Sequence, residues 1–416
     1  MRSAVVQDDA PEAVAPCVAP LAAPGGSSGR EPTGTLLATG RVRRNRFVAA
    51  ATVVALGILL AFTLRGGEPG ASPVAVRHPH LRDGANPRLD ADWDGDGRPL
   101  TLVFGGDVNF PAGSVLGSRL AEDPTTALGP GARTLLAHAD LAMVNFESAL
   151  TFGGGCPVPQ PKQFVFSAPP SALSAFRGAG ATLVTEANNH GEDCGQPGLR
   201  QALTIRERAH YRVIGIGADA AQAFASYQTA IDGERLGIIA ATQVIDDDLI
   251  PTWTATSTQP GLASAYQTQA LLDAVRDARR VDDTVVVFLH WGVQLDACPD
   301  PIQEPLAELL VRAGADVVIG SHAHVLLGAG YLGTAFVDYG LGNFAFYNDP
   351  PPTNVSGALA VTVTGRHIDA YAWRPAIIQD ELPEPVTGAA AHEVQAHFVG
   401  ARGCTDLTPH PTAPLS

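Results

Sequence analysis

Short apolar runs alternate with helical stretches from residue 99 onward, and this alternation most restricts the folds open to the chain. The runs are nearly continuous in Val, Ile, Leu, Ala and Phe, which is typical of strands buried on both faces. Strands that alternate with helices predict an α/β fold built of layers. The predicted strands are 100–106, 141–146, 181–187, 236–244, 283–291, 315–321 and 334–340, and the predicted helices are 112–121, 129–138, 170–179, 196–209, 260–278 and 302–313.

The composition of the two ends differs from that of the middle. Residues 1–46 are rich in Ala, Pro, Gly and Ser without a sustained apolar period, so we expect them to be disordered. Residues 99–380 are predicted to form one domain that ends in a late hairpin. The Pro-rich residues 381–416 are predicted to be a loose C-terminal tail.

An uncharged segment, residues 47–64, follows the arginine-rich stretch that ends at Arg46. Its 18 residues lie near the lower limit for a membrane-spanning helix, and the arginines predict a cytoplasmic N-terminus. We therefore predict a single-pass cell-membrane anchor, with residues 65–98 as a linker and the main domain outside the cytoplasm. A cleaved signal peptide is the alternative, although it would have an unusually long charged region and no clear cleavage site nearby.

Charge and cysteine content narrow the partners and the compartment. The formal net charge of -15 argues against nucleic acid, because phosphate binding needs clustered Lys and Arg. Four of the five cysteines follow the apolar segment, at positions 156, 194, 298 and 404. On the extracytoplasmic side they are expected to form two disulfides, with three connectivities open, and four buried free thiols are the alternative.

Polar clusters follow five of the predicted strands. Ligands gather at the carboxyl ends of strands in open α/β sheets, because the loops diverge there. Imidazole and carboxylate groups suit Mn, Zn or Fe, and the absence of a cysteine from the clusters disfavours a structural zinc site. We therefore predict one site for one or two divalent metal ions, which Glu147 or Asp107 could bridge. The predicted ligands are Asp107, Glu147, Asn189, His290, His322 and His324.

The SHAH sequence carries two of these ligands. A two-residue step in an extended chain would send His322 and His324 to the same side, so that they share a metal or bracket one. Each polar residue alone has a simpler interpretation, such as a helix cap at Asp107 or a structural histidine at His290. Only the joint set indicates a metal site.

Five motifs in this order resemble the CapA family of poly-γ-glutamate capsule synthesis proteins, which is similar to the calcineurin-like metallophosphatases. They are GGDVNF, DLAMVNFESALT, ANNHGEDCGQPGL, FLHWGVQ and the pair GADVVIGSHAHVLLG and GYLGTAFVDYGLGNF. The resemblance covers about residues 100–347. It implies a four-layer α/β/β/α metallophosphatase-like sandwich with a two-metal centre, here preceded by a single transmembrane helix.

The resemblance also implies roles for individual residues. Asp107 matches the first Asp ligand, Glu147 stands where a bridging Asp is usual, and Asn189 matches the Asn ligand. His190 matches the histidine that protonates a leaving group, and the three later histidines match the remaining ligands. Asn109 departs from the usual Asp-x-His pattern, and its amide is a poorer ligand than imidazole. The predicted substrate contacts are Asn109, Asn188 and Asn343.

Together with the predicted anchor at residues 47–64, the resemblance implies a membrane-anchored, extracytoplasmic protein of capsule or poly-γ-glutamate synthesis or export. We expect metal-assisted hydrolysis or transfer at an amide or ester bond, with His190 as general acid. The expected partners are an anionic envelope polymer such as poly-γ-glutamate, membrane synthase subunits, and the membrane through the N-terminal helix. The alternatives are a non-catalytic anchoring or assembly subunit and a metallophosphoesterase, which Asn109 and Glu147 disfavour.

Overall fold

The computed structural model describes residues 97–347 and 350–415. The predicted cytoplasmic segment 1–46, the predicted anchor 47–64 and nearly all of the predicted linker 65–98 lie outside these ranges. Within the described ranges, no helix combines the length and the apolar character needed to cross a bilayer. The membrane anchor therefore stays a prediction.

The described chain contains eighteen strands, most of them short. They are β1 (Leu100–Val108), β2 (Leu141–Phe146), β3 (Ala149–Leu150), β4 (Ser167–Ala168), β5 (Leu183–Thr185), β6 (Arg212–Ile214), β7 (Ile216–Gly217), β8 (Tyr227–Ile231), β9 (Glu234–Thr242), β10 (Gly261–Leu262), β11 (Thr284–His290), β12 (Val317–Ser321), β13 (Ala329–Leu332), β14 (Ala335–Asp338), β15 (Asn343–Ala345), β16 (Val355–Thr364), β17 (His367–Gln379) and β18 (Leu382–Pro385).

The strands form two mixed sheets and two short ladders. The first sheet has the order β18-β17-β16-β1-β2-β5-β6, with β15 also paired to β1. The second has the order β13-β14-β12-β11-β9-β8. In the first sheet the parallel strands β1-β2-β5-β6 extend to one edge, and β16, β17 and β18 are antiparallel on the other side. In the second, the parallel strands β9-β11-β12-β14 lie between the antiparallel edge strands β8 and β13. The carboxyl ends of the parallel strands therefore gather at one edge of each sheet.

Nine α-helices occur in the described ranges. They are α1 (Val115–Glu122), α2 (Gly129–Leu136), α3 (Ala172–Ala179), α4 (Gly195–Ala209), α5 (Ala220–Ala223), α6 (Ile250–Trp253), α7 (Thr268–Arg279), α8 (Gln303–Ala313) and α9 (Gly388–Ala401).

Alternate residues of the central strands bury their side chains in different layers. In β1, Val103 packs in a core with α1 to α4, whereas Phe104 packs in the core between the two sheets. In β11, Phe288 belongs to that inter-sheet core, whereas Val287 packs against α7 and α8. Because side chains alternate between the faces of a strand, each sheet has two buried faces. The predicted α/β class is confirmed, with a core between the two mixed sheets and helices packed on their outer faces.

Two predicted segments differ from the structure. The helix predicted for 260–278 begins only at Thr268, because Gly261 and Leu262 pair with Gly217 and Ile216 as a short antiparallel ladder. The predicted loose tail, residues 381–416, is wrong over residues 382–401, which form a strand and a helix. After β18, α9 packs on β17, with the rings of Trp373 and Phe398 stacked 4.5 Å apart.

Two disulfides connect distant parts of the described chain. Cys156 is bonded to Cys194, and Cys298 is bonded to Cys404. The second bond ties the segment after α9 to the loop before α8. This pairing is one of the three connectivities that the sequence leaves open.

Glu186, just after β5, is a buried carboxyl that holds a neighbouring strand in place. Its Oε1 accepts a hydrogen bond of 2.7 Å from the backbone N–H of Leu150. Burial raises the pKa of Glu186 to about 8, although the Leu150 bond and the charge of Arg206 oppose the rise. The folded protein therefore keeps this proton over a pH range in which the unfolded chain, near 4.5, has lost it.

We predict that Glu186→Gln makes the protein less sensitive to alkaline pH. Because the folded state binds more protons, this carboxyl costs stability as pH rises from about 4.5 to about 8, by up to about 1.4 kcal/mol per pH unit. The neutral amide removes that slope. Chemical unfolding between pH 5 and 9 measures it, with Glu393→Gln on the exposed face of α9 as control. Identical pH dependence in the wild type and Glu186→Gln would contradict the prediction.

Candidate metal centre

Five strand ends from both sheets converge on one buried site. Asp107 lies near the end of β1, and Glu147 directly follows β2. Residues 188–190 follow β5, His290 ends β11, and His322 follows β12. The first three segments belong to the first sheet and the last two to the second, so the site lies where the edges of the two sheets meet.

A close approach of two glycines helps to shape this edge. A Cβ atom at Gly106 would lie 1.8 Å from the carbonyl oxygen of Gly342, so no larger residue fits there. The backbone N–H of Asp107 donates to the same carbonyl over 3.0 Å. In the register of β1 and β15, Asp107 is the partner of Asn343. The GLGNF segment therefore lies directly beside the first predicted ligand.

One group of ligand atoms comes from Asp107, Glu147 and His324. All three residues are buried, and one ligand atom from each lies within 4.8 Å of the others. His324 Nδ1 is 3.4 Å from Asp107 Oδ2, and His324 Nε2 is 3.8 Å from Glu147 Oε1. Two atoms bound to one first-row metal lie at most about 4.4 Å apart, since each bond is about 2.0–2.2 Å. Each distance lies within that limit, and because Asn343 Oδ1 holds His324 Nδ1, the nitrogen of His324 left for an ion is Nε2. We name these three residues the carboxylate cluster.

Glu147 is the residue of the carboxylate cluster that most needs a cation. Neither of its carboxylate oxygens has a hydrogen-bond partner within the described ranges, and the residue has no exposed surface. Burial, and next the charge of Asp107, raise the pKa of Glu147 well above its ordinary value. Burial alone would lower the pKa of His324, but Glu147 and Asp107 raise it to about 9. A bound cation would compensate the buried negative charge that causes these shifts.

A second group of ligand atoms comes from Asn189, His290 and His322. His290 Nε2 is 2.8 Å from Asn189 Oδ1 and 3.1 Å from His322 Nδ1. Burial, and then the neighbouring imidazoles, lower the pKa of both histidines well below the ordinary value. They are therefore neutral near pH 7 and have lone pairs that a metal can use. We name these three residues the imidazole cluster.

The other ring nitrogen of His290 is held by the protein. Its Nδ1 lies 2.9 Å from Ser321 Oγ and 3.2 Å from Asn145 Nδ2. Asn145 Nδ2 also donates to Asp107 Oδ1 over 2.8 Å. A hydrogen bond on one ring nitrogen orients the other toward a metal, so Ser321 and Asn145 position His290. Asn145 links the two clusters, since it contacts a member of each.

His322 and His324 lie in different clusters, and they bracket the site rather than share one position. Their backbone is not extended as the sequence interpretation assumed, because φ is +102° at His322 and +57° at His324. Positive φ is uncommon for residues other than glycine and costs conformational energy. This backbone separates the two imidazoles, whose ring centres are 6.1 Å apart.

His190 lies beside the carboxylate cluster and is oriented by a neighbouring acid. Its Nδ1 is 2.6 Å from Asp193 Oδ2, and its Nε2 is 3.8 Å from Glu147 Oε1. Its ring lies against Phe166, with centroids 4.3 Å apart. Burial lowers the pKa of His190, although the Asp193 charge opposes this shift. The arrangement leaves Nε2 as the nitrogen that faces the site.

The three asparagines predicted to contact substrate differ in how their amides are used. Asn188 donates to Asn145 Oδ1 over 2.9 Å and accepts from the His190 N–H over 2.9 Å, so its amide positions its neighbours. Asn343 Oδ1 is 2.8 Å from His324 Nδ1 and orients that ring. Asn109 accepts from the Tyr347 N–H over 3.4 Å, but its buried Nδ2 has no hydrogen-bond partner in the described ranges.

Sequence reasoning missed four residues of the centre: Asn145, Lys162, Asp193 and Ser321. The sequence contained a feature that could have pointed to three of them. Asn145 interrupts the apolar strand LAMVNF, Asp193 follows His190 at the third position, and Lys162 is the one lysine of the chain. Ser321 gave no signal of its own, because serine is ordinary at the end of a strand.

The loop between β3 and β4 is clamped to the segment that carries His190. The Cys156–Cys194 disulfide attaches the loop to the residue after Asp193. The N–H of Gln160 donates to the Asp193 carbonyl over 2.9 Å, and the N–H of Phe166 donates to Asp193 Oδ2 over 2.7 Å. The disulfide therefore restrains both the acid that orients His190 and the ring that covers it.

We predict that paired Cys156→Ala and Cys194→Ala substitutions lower both stability and metal affinity. The disulfide spans 38 residues, and its loss is expected to cost about 4 kcal/mol through the entropy of the unfolded chain. Thermal unfolding and manganese titration measure the two effects. Leu271→Ala, on the buried face of α7, is the control. It should lower the free energy of unfolding by about 2–5 kcal/mol without changing metal affinity. Unchanged metal affinity in the folded cysteine variant would show that the clamp does not act on the site.

Comparison with known proteins places this geometry in a family context. The model of the family described as "Bacterial capsule synthesis protein PGA_cap" matches residues 101–348. The "Capsule biosynthesis protein CapA" of Bacillus anthracis is 30% identical over 231 residues, which are 55% of each chain. The match thus spans about half the length of that relative. The "PGA biosynthesis protein CapA" of Bacillus subtilis (strain 168) is 24% identical over 305 residues, 71% of this chain and 78% of that protein.

Solved structures show only a distant likeness. The NAD nucleotidase of Haemophilus influenzae aligns with a TM-score of 0.39 and 13% identity, over 75% of this chain and 57% of that one. A likeness of this degree carries no conclusion about activity. The family match, in contrast, covers more than half of the chain and contains every predicted ligand. The chain belongs to the bacterial capsule synthesis protein PGA_cap family.

Proposed function

We propose that residues 99–380 act as a metal-dependent hydrolase or transferase on an anionic cell-envelope polymer such as poly-γ-glutamate, during capsule synthesis or export. The observation that carries the proposal is the Glu147 carboxylate. It is buried without a hydrogen-bond partner in the described ranges, and its Oε1 lies 3.8 Å from both His190 Nε2 and His324 Nε2. A buried carboxyl group with neither oxygen paired costs stability, which supports a role for Glu147 in binding a cation. Family membership supports the choice of polymer.

The two clusters would hold the metal. Asp107, Glu147 and His324 would bind one ion, and the imidazole cluster would bind a second. The mixed oxygen and nitrogen donors suit Mn, Zn or Fe. When bound, such a metal lowers the pKa of a coordinated water and polarises the bond to be broken.

His190 would donate the proton to the leaving group. Asp193 holds its Nδ1, so the proton for transfer is carried at Nε2, on the side of Glu147. Because burial lowers the pKa of His190, the imidazolium gives up this proton readily. Phe166 against His190 and Phe346 against His324, with centroids 4.3 and 4.7 Å apart, would limit the entry of water.

Asn109 supports a carbonyl rather than a phosphate substrate. Its Nδ2 is a buried donor without a partner in the described ranges, and the amide carries no charge. A neutral N–H donor suits the oxygen of an amide or ester carbonyl, on which negative charge develops during attack. An amide at this position would also bind a metal less tightly than the usual histidine.

The predicted anchor at residues 47–64 would hold the domain at the outer face of the cell membrane, close to synthase subunits. The arginines before the segment support a cytoplasmic N-terminus. The two disulfides agree with an oxidising compartment, because such bonds rarely persist in a reducing one.

We predict that the full-length protein in detergent binds a divalent metal and cleaves γ-glutamyl amides in a metal-dependent manner. Elemental analysis gives the metal per chain, and assays on γ-glutamyl amides and on a phosphodiester give the substrate class. The double variant His290→Ala and His322→Ala should lose the ion of the imidazole cluster and turnover together. His190→Ala should keep its metal and lose turnover by about 10²–10⁴-fold.

His392→Ala is the control for these variants, because His392 is exposed on α9 and outside the site. It should change neither metal content nor turnover. A wild-type protein that binds no divalent metal, and cleaves neither substrate class in its presence, would refute the enzymatic proposal.

A non-catalytic anchoring or assembly subunit is the second candidate. The departure at Asn109 favours it, because a weakened metal site need not be a catalyst. Polymer export in cells that carry only the His290→Ala and His322→Ala protein separates the candidates. Export at the wild-type level would support the assembly role, and its loss despite normal protein abundance would support catalysis.

A further inference from the structure

The one lysine of the chain lies buried beside the candidate metal centre. Every other permanently cationic side chain of the protein is an arginine. The Lys162 side chain is only 8% exposed, although it carries a charge that water would solvate well. Charged side chains are rarely buried without a partner, so its surroundings indicate why it is there.

The Lys162 ammonium contacts two oxygens that belong to different parts of the centre. Its Nζ lies 2.9 Å from Asp193 Oδ1, and it also donates to the backbone carbonyl of Asn189. Asp193 uses its other carboxylate oxygen to orient His190. Asn189 contributes the amide oxygen of the imidazole cluster. The Lys162 nitrogen therefore connects Asn189, a predicted metal ligand, to Asp193, which orients the predicted general acid His190.

The shape of this contact suits lysine and not arginine. Both oxygens converge on a single nitrogen, which lies 4.9 Å from the centre of the Trp253 ring. An ammonium is a compact point charge with three donors, whereas a guanidinium spreads its donors over a planar fork. The aromatic face of Trp253 also stabilises the buried cation.

We propose that Lys162 is a positioning residue that holds the Asn189 ligand and the Asp193–His190 pair in fixed relation to each other. This inference rests on the proposed metal site, and it names a residue on which the geometry of that site depends. Loss of the ammonium would free the Asn189 carbonyl and leave Asp193 with an unpaired buried oxygen. The imidazole cluster would then lose its fixed amide oxygen, whereas the carboxylate cluster would keep all its groups.

The test compares the full-length wild type with Lys162→Met and Lys162→Arg by manganese titration. Lys162→Met should weaken binding at the imidazole cluster by about 10–100-fold, the usual effect of removing a group that orients a ligand. Binding at the carboxylate cluster should change little, which a general loss of folding would not produce. Lys162→Arg should bind as poorly as Lys162→Met, because the charge is kept but the convergence on one nitrogen is lost.

Arg177→Met is the matched control. Arg177 also lies over an aromatic ring, that of Tyr211 at 5.2 Å, and donates to a backbone carbonyl, that of Ala209. It is outside the centre, so its loss should leave manganese affinity unchanged. Chemical rescue adds a second control. Alkylation of Lys162→Cys with bromoethylamine places an amine at nearly the same distance, and it should restore affinity, with alkylated wild type as reference.

A metal-free measurement separates failure of this inference from failure of the proposed function. Amide hydrogen exchange of residues 189–193 should become faster in Lys162→Met and stay unchanged in Arg177→Met. If the wild type binds manganese and Lys162→Met binds it equally well at both clusters, the inference is overturned and the metal site stands. If the wild type binds no manganese, the proposed function fails. Unchanged exchange at residues 189–193 would then overturn the positioning role as well.

Discussion

Two carboxylates, Asp107 and Glu147, lie next to each other in the interior with no exposed surface, and their mutual repulsion constrains everything around them. Asp107 is satisfied by the protein, because Asn145 donates to one of its oxygens and the N–H of His322 to the other. Glu147 is not satisfied within the described ranges. Three histidines of the two clusters and His190 surround the pair. A cation bound here would offset the cost of burying these two carboxyl groups, so the proposed metal site would also contribute to the stability of the fold.

Neutral asparagine side chains fix the orientation of the other groups in the centre. Asn145 and Asn188 form a chain from Asp107 to the backbone of His190, and Asn343 orients His324. An amide can donate and accept at once without adding charge, which suits a site where charge is already in excess. Such a chain is costly to leave half satisfied, and when complete it restricts each ring to one orientation.

The sequence predicts most of the framework, because the central strands are buried on both faces and their apolar runs are unmistakable. It also predicts that six polar side chains near strand ends lie together, and their role as metal ligands stays a prediction. The predictions from sequence are wrong where contacts between residues far apart in the chain determine the local structure. The segment before Thr268 pairs with β7 instead of continuing a helix, and the Pro-rich end is held by Phe398 and a disulfide. The positive φ at His322 and His324 could not be read from SHAH. Lys162 contacts Asp193, which is 31 residues away in the sequence, and no local sequence pattern predicts such a contact.

The pairing of Asp107 with Asn343 across neighbouring strands has a consequence for which ions the edge can accept. Adjacent strands are about 4.8 Å apart in any sheet, whereas two atoms on opposite sides of a first-row metal are separated by about 4.4 Å at most. The strand spacing thus sets the distance between the backbone positions from which neighbouring side chains reach an ion. Asp107 lies on β1 and Asn343 on the neighbouring β15, and Asn343 Oδ1 orients the ring of His324, which follows β12 of the second sheet. A bound ion would therefore have to match a separation that the hydrogen bonds between these strands maintain.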